Sequence, residues 1–471
     1  MFGFDDIIWK ITMMLFDAGV KICEAFFKWL FASIQSVGES LTSTKDTESA
    51  ITAPKAAKQL TSAKPQGVFF GKQYDDYIIK PEDKDGHVMV VGGSGSGKSS
   101  CIAIPTLQNS WNSRVFAIDI KGELYQTTKK QRKNIMVLNP LDSSKFGYNP
   151  YYFLTENSNN AQKARIIAEA IIPLLPNAKE PFWVKNAQNI FTGVILHYYH
   201  LGYSFIQTIQ EFLSMSHADL IQTVFNSQVK EARQCVAAFV KADPKLLGGC
   251  MTEISANITT IANDPDLVDC LSRPNIITPL DLEKGNDIYF HIPEHLLRQW
   301  RGFSSLVINQ FLTYFEQRPE QNTTPILFLL DEFPRLGKIE TVLDGLATLR
   351  SKKVTICLII QSLAQLDVIY GTGERKVIAD NCLYKAVLLA TDPDTQDYFS
   401  RLVGTYDKIK TTHTENYEAI TGFPKGTGKS TTTEEKRIIK PEEFGTLTQI
   451  ILFAPSGVYR IDKNPYYEQV S

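Results

Sequence analysis

The chain has 471 residues, a formal net charge of −2, 43% hydrophobic residues and 21% charged residues. This is an ordinary globular composition with room for about two to four domains, and it excludes a bulk polycation, so any nucleic-acid contact must come from local basic surface or a lined channel. The seven cysteines (Cys23, Cys101, Cys235, Cys250, Cys270, Cys357, Cys382) are scattered with no C-x-x-C pair, which fits a reducing cytosol and points to neither a disulfide framework nor a zinc site.

Asp5 and Asp6 stand where a cleavable signal peptide would carry basic residues. Over the next thirty or so residues, Lys10, Asp17, Lys21, Glu24 and Lys28 fall within a helical stripe about 60° wide. The rest of that helix is apolar, including Trp9, Phe16, Phe26, Phe27, Trp29 and Phe31. No charge-free run approaches the ~18 residues of a simple membrane span. Residues 1–37 are therefore expected to form an amphipathic, membrane-associated helix. It lies in the membrane plane, or is embedded with its charges toward partner helices; docking onto protein is the alternative. Residues 38–67, rich in Ser, Thr, Ala and Lys with Pro54 and Pro65, read as a flexible linker.

The globular part is expected from Val68, and residues 68–160 form the first part of a nucleotide-binding domain. The VFFGK segment and Tyr77-Ile78-Ile79 read as short strands. Val88-Met89-Val90-Val91 reads as a strand buried on both faces. Gly92-Gly93-Ser94-Gly95-Ser96-Gly97-Lys98-Ser99 follows it and fits the phosphate loop G-x-x-x-x-G-K-[ST] at every position. Glycines there let backbone amides turn onto phosphate oxygens. Lys98 is placed for the β/γ-phosphates of ATP and the Ser99 hydroxyl for Mg²⁺, with Ser100 next to them. A helix is expected from about Lys98, its dipole adding to the anion site, and running to Trp111 with Pro105 as an irregularity.

Val115–Ile118 and Ile135–Leu138 read as further strands, giving the rhythm of a doubly wound parallel sheet. Residues 161–273 then carry long helical periodicities (Ala161–Ile172, Phe182–His200, Phe205–Met215, Leu220–Phe225, Glu231–Val240) and no convincing strand. They are expected to be an all-helical domain inserted into the sheet domain. Residues 274–471 resume the sheet with strands at Ile288–Phe290, Pro325–Leu330, Val354–Ile360, Ala386–Leu389 and Ile450–Phe453. Lys408 to Lys436 reads as a mobile loop.

ILFLLDE ends at Asp331-Glu332, a Walker B pattern that delivers two carboxylates at the edge where open α/β sheets bind ligands. Asp331 is the expected Mg²⁺ partner of Ser99, and Glu332 the general base for the attacking water. Gln361, at the end of Val354–Ile360, can sense the γ-phosphate or position water; with Ser362 it can also simply cap a helix. Arg350 reads either as an arginine finger for a neighbouring subunit or as a surface arginine at a helix end. Three other motifs read as decoys. Gly426–Ser430 lacks the first glycine of a phosphate loop. Pro293 breaks the helix that His291, Glu294 and His295 need for a zinc site. Lys129, Lys130, Arg132 and Lys133 read as a solvated helix end, with contact to nucleic-acid phosphates as the alternative.

In chain order GHVMVVGGSGSGKSS, AIDIKGELY with Thr127 and Arg132, NPLDSSKFGYNP, FWVKNAQNIFTGVILH, LLDEFPRLGKIE, LIIQSLAQLDVIYG and NPYYEQ together resemble the type IV secretion coupling proteins, conjugation ATPases of the TraG/TraD kind. The resemblance runs from about Phe69 to Tyr467. It implies an α/β fold: a RecA-like P-loop NTPase domain with an inserted all-α domain, beside the N-terminal amphipathic or membrane-associated helix. It also implies a homo-hexamer at the cytoplasmic face of the bacterial inner membrane, or a soluble cytoplasmic protein where that helix is no anchor. Family members usually carry two clear N-terminal membrane helices, where this chain has one charged-stripe segment. The implied partners are single-stranded DNA with its relaxase, protein effectors and the components of the secretion channel. The alternatives are a cargo receptor that uses nucleotide only as a structural switch, and a double-stranded DNA translocase.

Overall fold

The computed structural model describes residues 13, 21 and 58–469, apart from 110–111, 143–144, 156–158, 177, 179, 321–323 and 418–423. The expectation of an amphipathic helix over 1–37 thus lies almost wholly outside the described residues. No described helix is long and apolar enough to cross a membrane.

Short apolar runs rich in Val, Ile and Leu become strands with no exposed face, as a sheet covered on both sides demands. Three early strands, β1 (Thr61–Ser62), β2 (Gly67–Gln73) and β3 (Asp76–Pro81), form a small separate sheet in the order β1-β3-β2. Leu60 is buried and its carbonyl accepts the Ile79 amide, so ordered structure starts inside the segment expected to be linker. Then come β4 (Val88–Gly92), β5 (Arg114–Asp119), β6 (Ile135–Leu138), β7 (Asp287–His291), β8 (Ile326–Leu330), β9 (Val354–Ile360) and β10 (Tyr384–Leu389). These seven are mutually parallel. Their order β10-β4-β9-β8-β5-β7-β6 puts every strand expected from an apolar run between Val88 and Leu389 into one sheet.

β11 (Thr405–Tyr417) and β12 (Pro424–Arg437) pair antiparallel from Thr405↔Arg437 onward. The expected mobile loop over 408–436 is corrected to a hairpin: its threonines favour extended backbone, and each strand satisfies the other's amides. Gly426–Ser430 lies within β12, paired with residues 412–416, so it forms no phosphate cradle. β13 (Ile450–Ala454) and β14 (Gly457–Ile461) extend the large sheet antiparallel beyond β10.

Between β6 and β7 the described chain is helical: Asn160–Ile171, Pro181–His200, Phe205–Ser214, His217–Phe225, Lys230–Val236, Pro244–Asn263, Pro265–Ser272 and Pro279–Glu283. Four of these begin on proline, whose fixed φ and missing N–H suit the first helical position. Ser204 and Gln207 close a reciprocal capping box at Phe205–Ser214. The sheet core is continuous, with Val90, Ile102, Leu107, Ala117, Leu329, Ile359 and Leu452 fully buried in one cluster. Residues 54–471 make up one compact unit.

Candidate nucleotide site

β4 delivers the glycine-rich loop at its C-terminal end. Gly95 and Gly97 hold φ of 72° and 95°, in the left-handed region that glycine enters without strain. Gly92 is needed for space, because a Cβ there would lie 2.3 Å from Ser96 Oγ. Among the described residues no acceptor takes the amides of Ser94, Gly95 or Gly97. The Ser96 hydroxyl is buried without a partner. Lys98 Nζ donates to the carbonyls of Gly92 (2.7 Å) and Gly93 (3.3 Å). Burial lowers the Lys98 pKa, against the attraction of Glu332 and Asp331. Free donors, an orphaned hydroxyl and one cation in a glycine-rich cradle are what a polyphosphate requires, so the residues fit a nucleotide.

The helix after the loop is shorter than expected. Its first turn, Ser99–Ala103, is wide, with the Ile104 amide reaching back five residues to the Ser99 carbonyl. The α-helix proper is Ile104–Gln108. Pro105 has no amide to donate to the preceding turn, which accounts for the local widening. Ser99 and Ser100 sit half-buried on this turn, and Ser100 Oγ donates to the Gly97 carbonyl at 3.4 Å.

Two strands away in the sheet, β8 ends at Asp331 and Glu332. Asp331 is buried, and its carboxyl is pushed up to about 6 by burial first and by Glu332 second, with Lys98 pulling the other way. A divalent cation beside it would restore the carboxylate. Glu332 adopts φ 48°, ψ 40°, a left-handed conformation that is uncommon for a residue with a side chain, and its amide donates to Asp331 Oδ1 at 3.0 Å. β9 lies between β4 and β8. From its end, Gln361 Nε2 donates to both Glu332 carboxylate oxygens, at 2.9 and 3.1 Å. Ser362 makes no side-chain cap; the Leu363 amide is taken instead by Thr395 Oγ1 at 2.9 Å. The structure therefore brings Gln361 onto Glu332 and leaves the capping to another helix.

Arg350 is not brought to this group. It precedes β9, whereas Gln361 follows it, so the seven-residue strand separates them by roughly 20 Å. The two residues flank the same strand but at its opposite ends. Arg350 is largely exposed, 4.0 Å from Asp85, beside a cavity of about 740 Å³.

Other residues find structural employment. Arg132 is not part of a solvated helix end: it is buried, with Nε 2.7 Å from Asp287 Oδ2 and further bonds to the Leu107 and Ser113 carbonyls. Asp119, ending β5, accepts the Leu124 and Tyr125 amides and so fixes the DIKGELY turn. His291 contacts the Asp119 carbonyl at 2.8 Å, and Glu294 pairs with Arg335. Residue-by-residue reading placed Ser96 in the loop without a separate role for its hydroxyl, and missed the Glu332–Gln361 contact because nothing local links two residues on different strands.

The family model described as "Type IV secretory system Conjugative DNA transfer" matches residues 40–470. Protein VirD4 of Rhizobium radiobacter is 24% identical, over 85% of this chain and 60% of its own length. Conjugal transfer protein TraG of the same organism is 24% identical, over 76% of this chain and 58% of its own. The chain thus spans about 60% of the length of these relatives. Among solved structures, the bacterial conjugative coupling protein TrwBdeltaN70 superposes with a TM-score of 0.67 at 18% identity, covering 88% of this chain and 92% of that one. TrwB in complex with ADP and Mg²⁺ gives 0.67 at 17% identity, covering 88% and 90%. The likeness shows a mixed α/β fold on a central sheet like that of TrwB.

Proposed function

Because the chain belongs to the type IV secretory system conjugative DNA transfer family, we propose that it is a coupling ATPase with a RecA-like P-loop domain. Residues 68–160 and 274–471 form that domain, and 161–273 an inserted all-α domain. ATP is held by Gly92–Ser99 with Ser100 beside it, and Mg²⁺ by Ser99 and Asp331. The bound cation offsets phosphate charge. Lys98 faces the β/γ-phosphates, and Glu332 accepts the proton of the attacking water. Gln361 acts through Glu332 as a positioning residue: its amide fixes the carboxylate's direction while leaving it free to accept a proton.

The observation that carries this reading is the three-strand arrangement, with the cradle from β4, Gln361 from β9 and Asp331-Glu332 from β8, so that Gln361 braces Glu332 between the two others. Arg350 is far from its own chain's cradle, so a role in catalysis would be in a neighbouring copy of a homo-hexamer. Solved TrwB with ADP and Mg²⁺ supports the nucleotide and the cation, and VirD4 and TraG support the conjugative setting. The cargo is single-stranded DNA with its relaxase, or protein effectors, handed to the secretion channel at the inner membrane.

The test is Glu332→Gln. It should bind Mg-ATP, hydrolyse it at least about a hundredfold more slowly, and co-purify with cargo held in place. Tight nucleotide binding by the parent without turnover, DNA-stimulated or otherwise, would favour a receptor with nucleotide as a structural switch. Stimulation by double-stranded DNA alone would favour a duplex translocase.

A further inference from the structure

A cavity of about 520 Å³ lies where the helix Pro244–Asn263 meets the segments that follow β7 and β8. Its volume is within the ~300–1,000 Å³ range of small-ligand sites. His295, Arg298, Arg301 and Lys338 line it, and no carboxylate does among the described residues. Lys338 is buried and already neutralised by Glu340 (3.5 Å) and Glu374 (3.4 Å). Arg298 and Arg301 are different: neither guanidinium group makes a hydrogen bond or an ion pair among the described residues. Burial and then the neighbouring Arg298 lower the Arg301 pKa, so the two guanidinium groups repel each other.

The chain is shaped to keep Arg301 there. Gly337 has φ 93°, and a Cβ on it would fall 2.5 Å from Arg301 Cγ. The arginine stem therefore lies against bare backbone, in the loop that also carries Glu332. Ser305 Oγ donates to the Lys338 carbonyl at 2.9 Å and ties the same loop to the wall of the cavity. Ile171 and Ile261 supply an apolar patch beside the cations. Two uncompensated guanidinium forks suit phosphate oxygens, and an adjoining apolar patch suits the sugar or base between phosphates.

We propose that this cavity binds one phosphate-bearing unit of single-stranded nucleic acid, with Arg298 and Arg301 on the phosphate. The proposal rests on the reading of the chain as a coupling ATPase that handles a single strand, and it adds a contact point separate from the nucleotide cradle.

The experiment is fluorescence anisotropy of a fluorescein-labelled twenty-residue oligothymidylate with the full chain, titrated between 50 and 300 mM NaCl. Removing both charges with Arg298→Gln plus Arg301→Gln should make the slope of log affinity against log salt shallower by about 0.7, the contribution of the one lost phosphate contact. The same change corresponds to about fivefold weaker binding near 0.1 M salt. The pair Arg298→Lys plus Arg301→Lys should keep the parent slope, which separates charge from damage to the fold. Parent-like affinity and slope in the Gln pair, with an unchanged melting curve, overturns the site while leaving the coupling reading standing. A parent chain that binds no oligothymidylate overturns the site together with single-stranded DNA as the cargo, and leaves protein effectors as the cargo of the coupling reading. Displacement by polyglutamate but not by unlabelled oligothymidylate assigns the cavity to an acidic peptide and also overturns the proposal.

Discussion

Acidification should weaken this protein through one residue, His87. Its side chain is 1% exposed at the start of β4, and Nδ1 accepts the Ile356 amide at 2.9 Å. A proton on Nδ1 would set two donors face to face. Burial, and after it the charge of Lys80, pull the imidazole down to about 3. In the unfolded chain it titrates near 6.5. Between these values the unfolded state holds the extra proton, so stability is intact above about pH 6.5 and falls as pH drops toward 3. The loss is about 1.4 kcal/mol per pH unit, hence about 2 kcal/mol on going from pH 7.5 to 5.0. Urea unfolding followed by tryptophan fluorescence at the two pH values measures it, compared with His87→Gln. The glutamine oxygen can still accept the Ile356 amide but does not titrate, and all other groups cancel in the comparison. The parent should lose about 2 kcal/mol more than the variant with the urea dependence unchanged. Equal losses in the two proteins would refute the reasoning.

Gln361→Ala should keep nucleotide affinity and lower turnover about tenfold or more, since Glu332 loses its only bidentate donor among the described residues; phosphate release at saturating ATP measures this, and an unchanged kcat would return Gln361 to a passive role. Asp287→Asn should destabilise the chain by about 3–5 kcal/mol, because it leaves the Arg132 guanidinium buried without its counter-charge; an unfolding midpoint within error of the parent's would contradict that. Arg350→Ala should bind ATP normally but turn it over slowly, and mixing it with Lys98→Ala subunits under conditions of verified assembly should restore part of the activity. Absence of rescue in such mixtures leaves Arg350 as the exposed surface partner of Asp85 that it is within one chain.

What could be read without coordinates follows from how information is stored along a chain. Strands buried on both faces, such as Val88–Gly92 and Ile326–Leu330, need uninterrupted apolar runs, so they were visible. β14 was not: GVYRI is half-exposed, carries Arg460 and has no run to show. β1 is two residues long, below any period. The hairpin over 405–437 looked like a loop because its Thr, Gly and Lys residues lack the apolar alternation of a half-buried strand, and cross-strand pairing leaves no local mark. The phosphate cradle was legible because its chemistry is contiguous. The Glu332–Gln361 and Arg132–Asp287 contacts were not, since each joins residues brought together only by strand order or by a turn far away in sequence. Arg350 and Gln361 are close along the chain yet flank opposite ends of β9, a full strand length apart in space.

The position of β4 has a consequence for biosynthesis. The strand that carries the phosphate loop is flanked by β9 and β10, with Val91 opposite Ile360 and Gly92 opposite Leu389. Both flanking strands leave the ribosome some 260–300 residues after it, about 15–60 s later at ordinary elongation rates. During that interval an apolar VMVVG segment has no hydrogen-bonding neighbour, while the helices between β6 and β7 pack mostly on one another. A nascent chain should therefore order its helices first and its nucleotide cradle last. Any product truncated before Tyr384 would lack β10 and leave the apolar β4 without its partner on that side.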